Sequence, residues 1–164
     1  MLKGWILTGG RSTRFGADKV VHLVDGVPLV LRVAGVLRAA GVEPGLVGKS
    51  PRGVGLPELF EPEAEGHPLY GVARALEEGA GLVTPVDLVD LSVEQVVTLL
   101  AAAGRFPAGV HARGQPLLAV LPGGLAARAR RIAAAGGSVR EFVEGLEAVD
   151  LGPLRNLNVL NEDP

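Results

Sequence analysis

The chain has 164 residues, 48% of them hydrophobic, with a formal net charge of −2 and no cysteine. That length suits one domain able to bury about 70% of the surface its unfolded chain exposes. Lys and Arg scattered over a slightly acidic chain exclude a general nucleic-acid or anionic-membrane surface, so any phosphate site must be local. The lack of cysteine removes disulfides, thiolate zinc sites and Cys nucleophiles together.

The opening Met1–Thr8 is too short for a signal-peptide core, and no later run approaches the ~20 apolar residues that span a bilayer, so a cytoplasmic protein is expected. No repeat, linker or charge run divides residues 1–164, which read as a single domain. Leu2–Thr8 reads as a strand entering the loop Gly9–Gly16. His22–Leu29 reads as an extended piece turned by Asp25-Gly26, a strong tight-turn pair. Pro28–Ala40 is apolar on most faces and stops before Gly41, the pattern of a buried helix with a glycine just past its end. Leu46–Gly48 and Leu59–Glu61 are short strand candidates, and Pro68–Glu78 is a helix opened by proline.

Gly81–Val86 reads as a buried strand ending at Asp87. Ser92-Val-Glu-Gln95 is a capping box opening a helix through Ala103, and Ser138-Val-Arg-Glu141 is a second box. Ala108–Arg113 and Pro116–Leu121 flank Gly114-Gln115 as a hairpin, Leu125–Ala135 is helical, and a last strand falls near Ala148–Leu151. Strands alternating with helices predict an α/β fold: a three-layer sandwich whose mostly parallel, Rossmann-like sheet carries helices on both faces. Ligands in such sheets sit beyond the carboxyl ends of the strands.

The string Gly9-Gly10-Arg11-Ser12-Thr13-Arg14-Phe15-Gly16-Ala17-Asp18-Lys19 follows the first strand directly. Two leading glycines let backbone N–H groups approach an anion closely. Ser12 adds a hydroxyl donor, and Arg14 and Lys19 supply positive charge for a triphosphate. It is neither a Walker loop nor a G-x-G-x-x-G fingerprint.

The same string resembles the L-x-G-G-x-S-x-R-x-G-x-D-K motif of the molybdenum cofactor guanylyltransferases. Leu7, Gly9, Gly10, Ser12, Arg14, Gly16, Asp18 and Lys19 all match; at about one chance in twenty per position, the seven loop positions alone match at random on the order of 10⁻⁹. The resemblance continues along the chain. Asp25-Gly-Val-Pro-Leu29 is similar to the family's step into its first helix, and His67-Pro-Leu-Tyr-Gly71 to its G-P-L-x-G turn, with His67 in place of glycine. Thr84-Pro-Val-Asp87 occupies the place of its P-C-D segment, without the proline that follows there. Gly114-Gln-Pro-Leu-Leu118 and Asn156-Leu-Asn158 resemble a later Q-P-L strand and a closing N-x-N.

The resemblance implies a Mg²⁺-dependent nucleotidyltransferase that passes GMP from GTP to molybdenum-bound molybdopterin and releases pyrophosphate. Arg14, Lys19 and Asp87 would be catalytic, with Asp87 the Mg²⁺ ligand and Asp90 a lesser alternative. Leu7, Thr8, Gly9, Gly10, Ser12, Lys19, Lys49, Glu61 and Asp87 would line the nucleotide. Glu61, Glu63 and Glu65 are alternatives for the residue facing guanine, whose N1–H and N2–H₂ need acceptors. Gly9 resembles the guanylyl enzymes, although Thr8 also occurs in cytidylyl relatives. His67 either lines the nucleotide pocket or caps the helix behind it. Asn156 and Asn158 either meet the pterin or tie the C-terminal segment to the sheet. Proteins that deliver or accept the cofactor are the further partners implied. Rival readings keep the chemistry with CTP, or with a sugar or alcohol phosphate, or make the chain a non-catalytic nucleotide-binding partner.

Overall fold

The computed structural model describes residues 1–8, 22–49, 53–64 and 66–157. Its sheet has seven strands in the order β5-β4-β1-β6-β8-β7-β9: Glu58–Phe60, Glu43–Gly48, Lys3–Leu7, Gly81–Pro85, Gln115–Leu121, Val110–Ala112 and Glu147–Val149. The pairs β1–β4, β1–β6, β4–β5 and β7–β9 are parallel, while β8 runs antiparallel to both neighbours. The remaining pair, β2 (Leu23–Val24) and β3 (Val27–Pro28), forms a separate two-stranded ribbon. Asp25 (φ 52°) and Gly26 (φ 78°) join it, a turn with both central residues left-handed, which Asp-Gly favours.

Among the described residues five α-helices cover the sheet. Helices α1 (Leu29–Ala39) and α3 (Val93–Arg105) lie on one face; α2 (Pro68–Glu77), α4 (Ala126–Ala134) and α5 (Val139–Val143) lie on the other. Two apolar cores result. One joins Ile6, Leu46 and Leu82 to Leu29, Val33, Leu37, Val96 and Leu99; the other joins Val47, Val83 and Ala119 to Leu69, Val72, Leu76, Ile132 and Phe142. The three-layer sandwich is the expected one.

Helix ends follow their local chemistry. After α1, Gly41 N–H donates to Arg38 O (3.0 Å) and Val42 N–H to Leu37 O (2.9 Å), closing the carbonyls left over at the helix end. At α3 both halves of the capping box form, Gln95 N–H to Ser92 Oγ (3.2 Å) and Ser92 N–H to Gln95 Oε1 (2.9 Å). At α5, Glu141 N–H donates to Ser138 Oγ (3.0 Å). One strand is longer than expected: β4 starts at Glu43 and takes in Pro44 and Gly45. Its neighbour β5 pairs only from Leu46 onward, so a proline is accommodated in the part of β4 that has a partner on one side alone.

No helix among the described residues is long and apolar enough to cross a membrane.

Candidate active site

Strand order places the functional candidates along one edge. From β1 the chain passes through α1 to β4 and β5 on one side, then through α2 to β6 on the other. The connection reverses at β1, so the crevice of this sheet opens at the carboxyl ends of β1 and β6. Leu7, the last residue of β1, is in register with Pro85, the last of β6. Thr8 therefore leaves one strand beside the start of the turn that carries Asp87. Beyond β4 comes the exposed Lys49, and beyond β5 the buried Glu61. The antiparallel β8 begins with Gln115 at the same edge.

Thr8 is buried, and both its backbone N–H and its hydroxyl donate to Val47 O, at 3.0 and 3.1 Å. This double tie locks the exit of β1 onto β4. Helix α2 comes down on the same place. A Cβ on Gly71 would lie 3.3 Å from Leu7 Cδ2, so the glycine closing Pro68-Leu-Tyr-Gly71 lets α2 pack close to the end of β1.

Glu61 is only 4% exposed. Its Oε1 accepts from Glu63 N–H (3.2 Å) and its Oε2 from Arg130 of α4 (3.1 Å). Arg130 also holds Glu77 at the end of α2 (2.8 Å). Burial works against the charge on Arg130, but the bonds to Glu77 and Glu61 outweigh it and hold the guanidinium above its ordinary range. Ala64 N–H donates to Glu61 O and Gly66 N–H to Glu63 O, bonds of a turn that leaves Glu63 exposed. The turn delivers His67 to the start of α2. His67 Nδ1 accepts from Leu69 N–H (3.1 Å) while Nε2 lies 2.6 Å from Gly137 O, which requires the Nε2–H tautomer. The ring is a helix cap tied to the α4–α5 connection.

Asp87 is half-buried in the turn after β6, flanked by the buried Val86, Leu88 and Val89. The segment that lacks the family's proline is held instead by apolar anchoring and by chain pairing: Leu88 bridges Asn156, Leu157 N–H donates to Asp87 O (2.9 Å) and Val89 N–H to Arg155 O (3.2 Å). Asp90 accepts from Arg155 twice, from the backbone N–H (3.0 Å) and from Nε (2.9 Å). Gln115 Nε2 donates to Asn156 Oδ1 (2.7 Å), tying the first residue of β8 to the C-terminal segment.

The structure thus brings Leu7, Thr8, Lys49, Glu61 and Asp87 to one edge of the sheet. Gly9, Gly10, Ser12, Arg14 and Lys19 lie outside the described residues, as do Glu65 and Asn158. Reading from sequence misses Arg130 and Arg155. Neither stands in a motif; Arg130 reaches Glu61 across 69 residues and Arg155 reaches Asp90 across 65. Among the described residues no cluster of three metal-ligating side chains forms. A Mg²⁺ site needs none, because this ion takes one or two protein carboxylates and completes its shell with phosphate oxygens and water.

The model of the MobA-like NTP transferase domain family matches residues 4–149. A probable molybdenum cofactor guanylyltransferase of Rhodopirellula baltica is 30% identical over 145 residues, covering 74% of this chain and 68% of the relative. One of the same name from Opitutus terrae is 32% identical over 161 residues, covering 88% and 79%. The crystal structure of molybdopterin-guanine dinucleotide biosynthesis protein A from Archaeoglobus fulgidus superposes with a TM-score of 0.73 at 17% identity, covering 98% of this chain and 86% of that one, a likeness of fold. The sheet order, the edge that gathers Thr8, Lys49, Glu61 and Asp87, and these relatives agree: the chain is a nucleotidyltransferase that belongs to the MobA-like NTP transferase family.

Proposed function

We propose that the chain transfers GMP from GTP to the terminal phosphate of molybdenum-bound molybdopterin, in the cytoplasm and with Mg²⁺; relatives named molybdenum cofactor guanylyltransferase support this reading. The observation that carries the reading is the placement of Asp87. It is the first charge after an apolar strand, two residues beyond the register partner of Leu7, at the point where the sheet reverses its connections. Asp87 would hold Mg²⁺ through carboxylate oxygen, and the bound ion would neutralise charge on the triphosphate.

The acceptor phosphate is already an anion and needs no general base. Its oxygen forms a bond to the α-phosphorus of GTP while the bond from that phosphorus to the bridging oxygen of pyrophosphate breaks, and pyrophosphate leaves with the electron pair. The protein contributes position and charge. Gly9, Gly10 and Ser12 donate hydrogen bonds to phosphate oxygens, and Arg14 and Lys19 balance the negative charge that develops. Leu7 and Thr8 form the floor at the exit of β1, with Lys49 beside the ribose. Glu61, held by Arg130 and by Glu63 N–H, shapes the turn after β5, and the exposed Glu63 on that turn would meet the N–H donors of guanine.

Thermal-shift titration with GTP, CTP, ATP and UTP, each with and without Mg²⁺, tests the nucleotide and the metal. Pyrophosphate release from GTP that depends on molybdopterin tests the acceptor. Equal shifts from GTP and CTP would remove the guanine assignment, and no acceptor-dependent release would remove molybdopterin.

A further inference from the structure

Residues 150–157 run as a strap across the turn that carries Asp87. Six separate ties hold it there among the described residues. Gln95, already the capping residue of α3, donates through Nε2 to Leu151 O (3.0 Å) and Pro153 O (3.3 Å). Leu88 bridges Asn156, Leu157 N–H reaches Asp87 O, and Val89 N–H reaches Arg155 O. Gln115 fixes the side chain of Asn156. Finally, Asp90 receives both the backbone N–H and the Nε–H of Arg155. The Asp87–Asp90 stretch is therefore paired along its length, Asp87 at one end through its carbonyl and Asp90 at the other through its carboxylate.

The last of these ties contributes little to global stability. The side chains of Arg155 and Asp90 are 54% and 31% exposed. Exposed ion pairs are worth about 0–1 kcal/mol. The two-point geometry does something else. One carboxylate grips a backbone N–H and a side-chain N–H of the same residue, which fixes both the distance and the angle between strap and turn. Val86, Leu88, Val89 and Leu91 anchor the turn from below in the apolar core. With the strap bonded to it from above, the backbone on both sides of Asp87 is held from two directions.

We propose that the Arg155–Asp90 pair is a positioning device, which clasps the strap to the β6–α3 turn and thereby aims Asp87 at a divalent cation. Arg155 and Asp90 are positioning residues; neither touches the ion. The inference rests on the reading of Asp87 as the cation's ligand. It assigns Asp90 a task different from that of a second metal ligand. Outer residues that orient a metal-binding group typically change metal affinity by about 10–100-fold when removed. Because the clasp acts on Asp87 through the backbone, the lower end of that range is expected.

The test measures GTP affinity by calorimetry twice for each variant, once with saturating Mg²⁺ and once with EDTA. The ratio of the two constants reports the protein's grip on the ion, whereas general loosening of the site lowers both constants together. Arg155→Ala and Asp90→Ala are each expected to reduce the ratio by about tenfold and to leave the affinity in EDTA unchanged. The double variant should match the singles, because the two residues act as one unit. Arg155→Gln, which keeps most of the side chain, serves if Arg155→Ala loses its fold. Asp87→Asn is the reference and should bring the ratio close to one. An unchanged ratio in Arg155→Ala, beside a collapsed one in Asp87→Asn, overturns the clasp and leaves the ligand assignment standing. A collapse in Asp90→Ala alone would make Asp90 itself a ligand and also overturn the clasp. An unchanged ratio in Asp87→Asn removes the ligand assignment, and the clasp with it.

Discussion

The hydroxyl of Thr8 occupies the space that a side chain at Gly48 would need: a Cβ built on Gly48 meets Thr8 Oγ1 well inside contact distance. Thr8 follows the last residue of β1 and Gly48 closes β4, so the two strands reach the ligand edge as a pair whose spacing depends on that missing Cβ. Gly48→Ala should force Thr8 off Val47 O and cost about 1–3 kcal/mol, the usual price of overfilling a packed site. GTP binding should weaken in the same variant, because Thr8 is the last residue before the glycine-rich string. Adding Thr8→Ala should restore part of the stability, since the Gly48 Cβ lies at an ordinary 3.6 Å from Thr8 Cβ. Urea unfolding of the two singles and the double checks this; additive losses would show that the pair does not interact.

Lys19 gives a second expectation. It is one of three lysines in the chain, with Lys3 and Lys49, and it closes the Gly9–Lys19 string. In the proposed reaction its charge would meet the triphosphate in both ground and transition states. Lys19→Ala should therefore weaken GTP binding and lower kcat together. Steady-state kinetics with direct binding separates the two effects, and unchanged values for both would reduce the string to a plain turn.

Much of the fold was legible because its signals are local. Asp25-Gly26, Ser92 with Gln95, and Gly41 each act on atoms within a few residues, and each performs the role its chemistry predicts. The extent of β4 was not legible, because whether Pro44 breaks a strand depends on where β5 stops, and that is a tertiary fact. The strap shows no periodicity and carries Gly152 and Pro153, so it reads as a tail; its partners Gln95, Gln115 and Asp90 stand 41 to 65 residues away. Arg130 sits in an ordinary arginine-rich helix, and only the burial of Glu61 distinguishes it from its neighbours Arg128 and Arg131. The edge that gathers Thr8, Lys49, Glu61 and Asp87 follows from the α/β pattern, which places loops at strand ends.

The Glu61–Arg130 contact yields a third expectation. Glu61 is buried and ion-paired to Arg130, so Arg130→Ala would leave a desolvated carboxylate whose remaining bond among the described residues comes from Glu63 N–H. A loss of about 1.5–3 kcal/mol is expected, the range for hydrogen bonds to charged groups. Glu63→Gln should behave differently. Its side chain is exposed, so stability should hold, while GTP affinity falls and CTP binding is spared, because a site that reads a base edge loses heavily when one partner is changed. If Glu63→Gln binds GTP normally, base reading passes to Glu65 or to backbone carbonyls, and Glu65→Gln decides between them.

The last expectation concerns turnover at Asp87. The strand Gly81–Pro85 is buried or half-buried throughout and carries no charge, so Asp87 is the first ionised group where the chain leaves the sheet. Two cations, Arg14 and Lys19, would not balance a triphosphate that carries about four negative charges, and on the proposed reading a hard divalent ion on carboxylate oxygen would supply the difference. Asp87→Asn keeps the shape of the side chain and removes its charge. The variant should remain folded, because its neighbours Val86, Leu88 and Val89 keep the turn anchored in the core and the strap still reaches its backbone carbonyl. Pyrophosphate release should fall by about 10²-fold or more, since each factor of ten corresponds to about 1.4 kcal/mol and ion positioning supplies several. Raising Mg²⁺ should not restore the rate, which distinguishes a lost ligand from the misaimed one left by Arg155→Ala, where high Mg²⁺ should recover most of it. Wild-type release from Asp87→Asn would place the ion elsewhere along the edge.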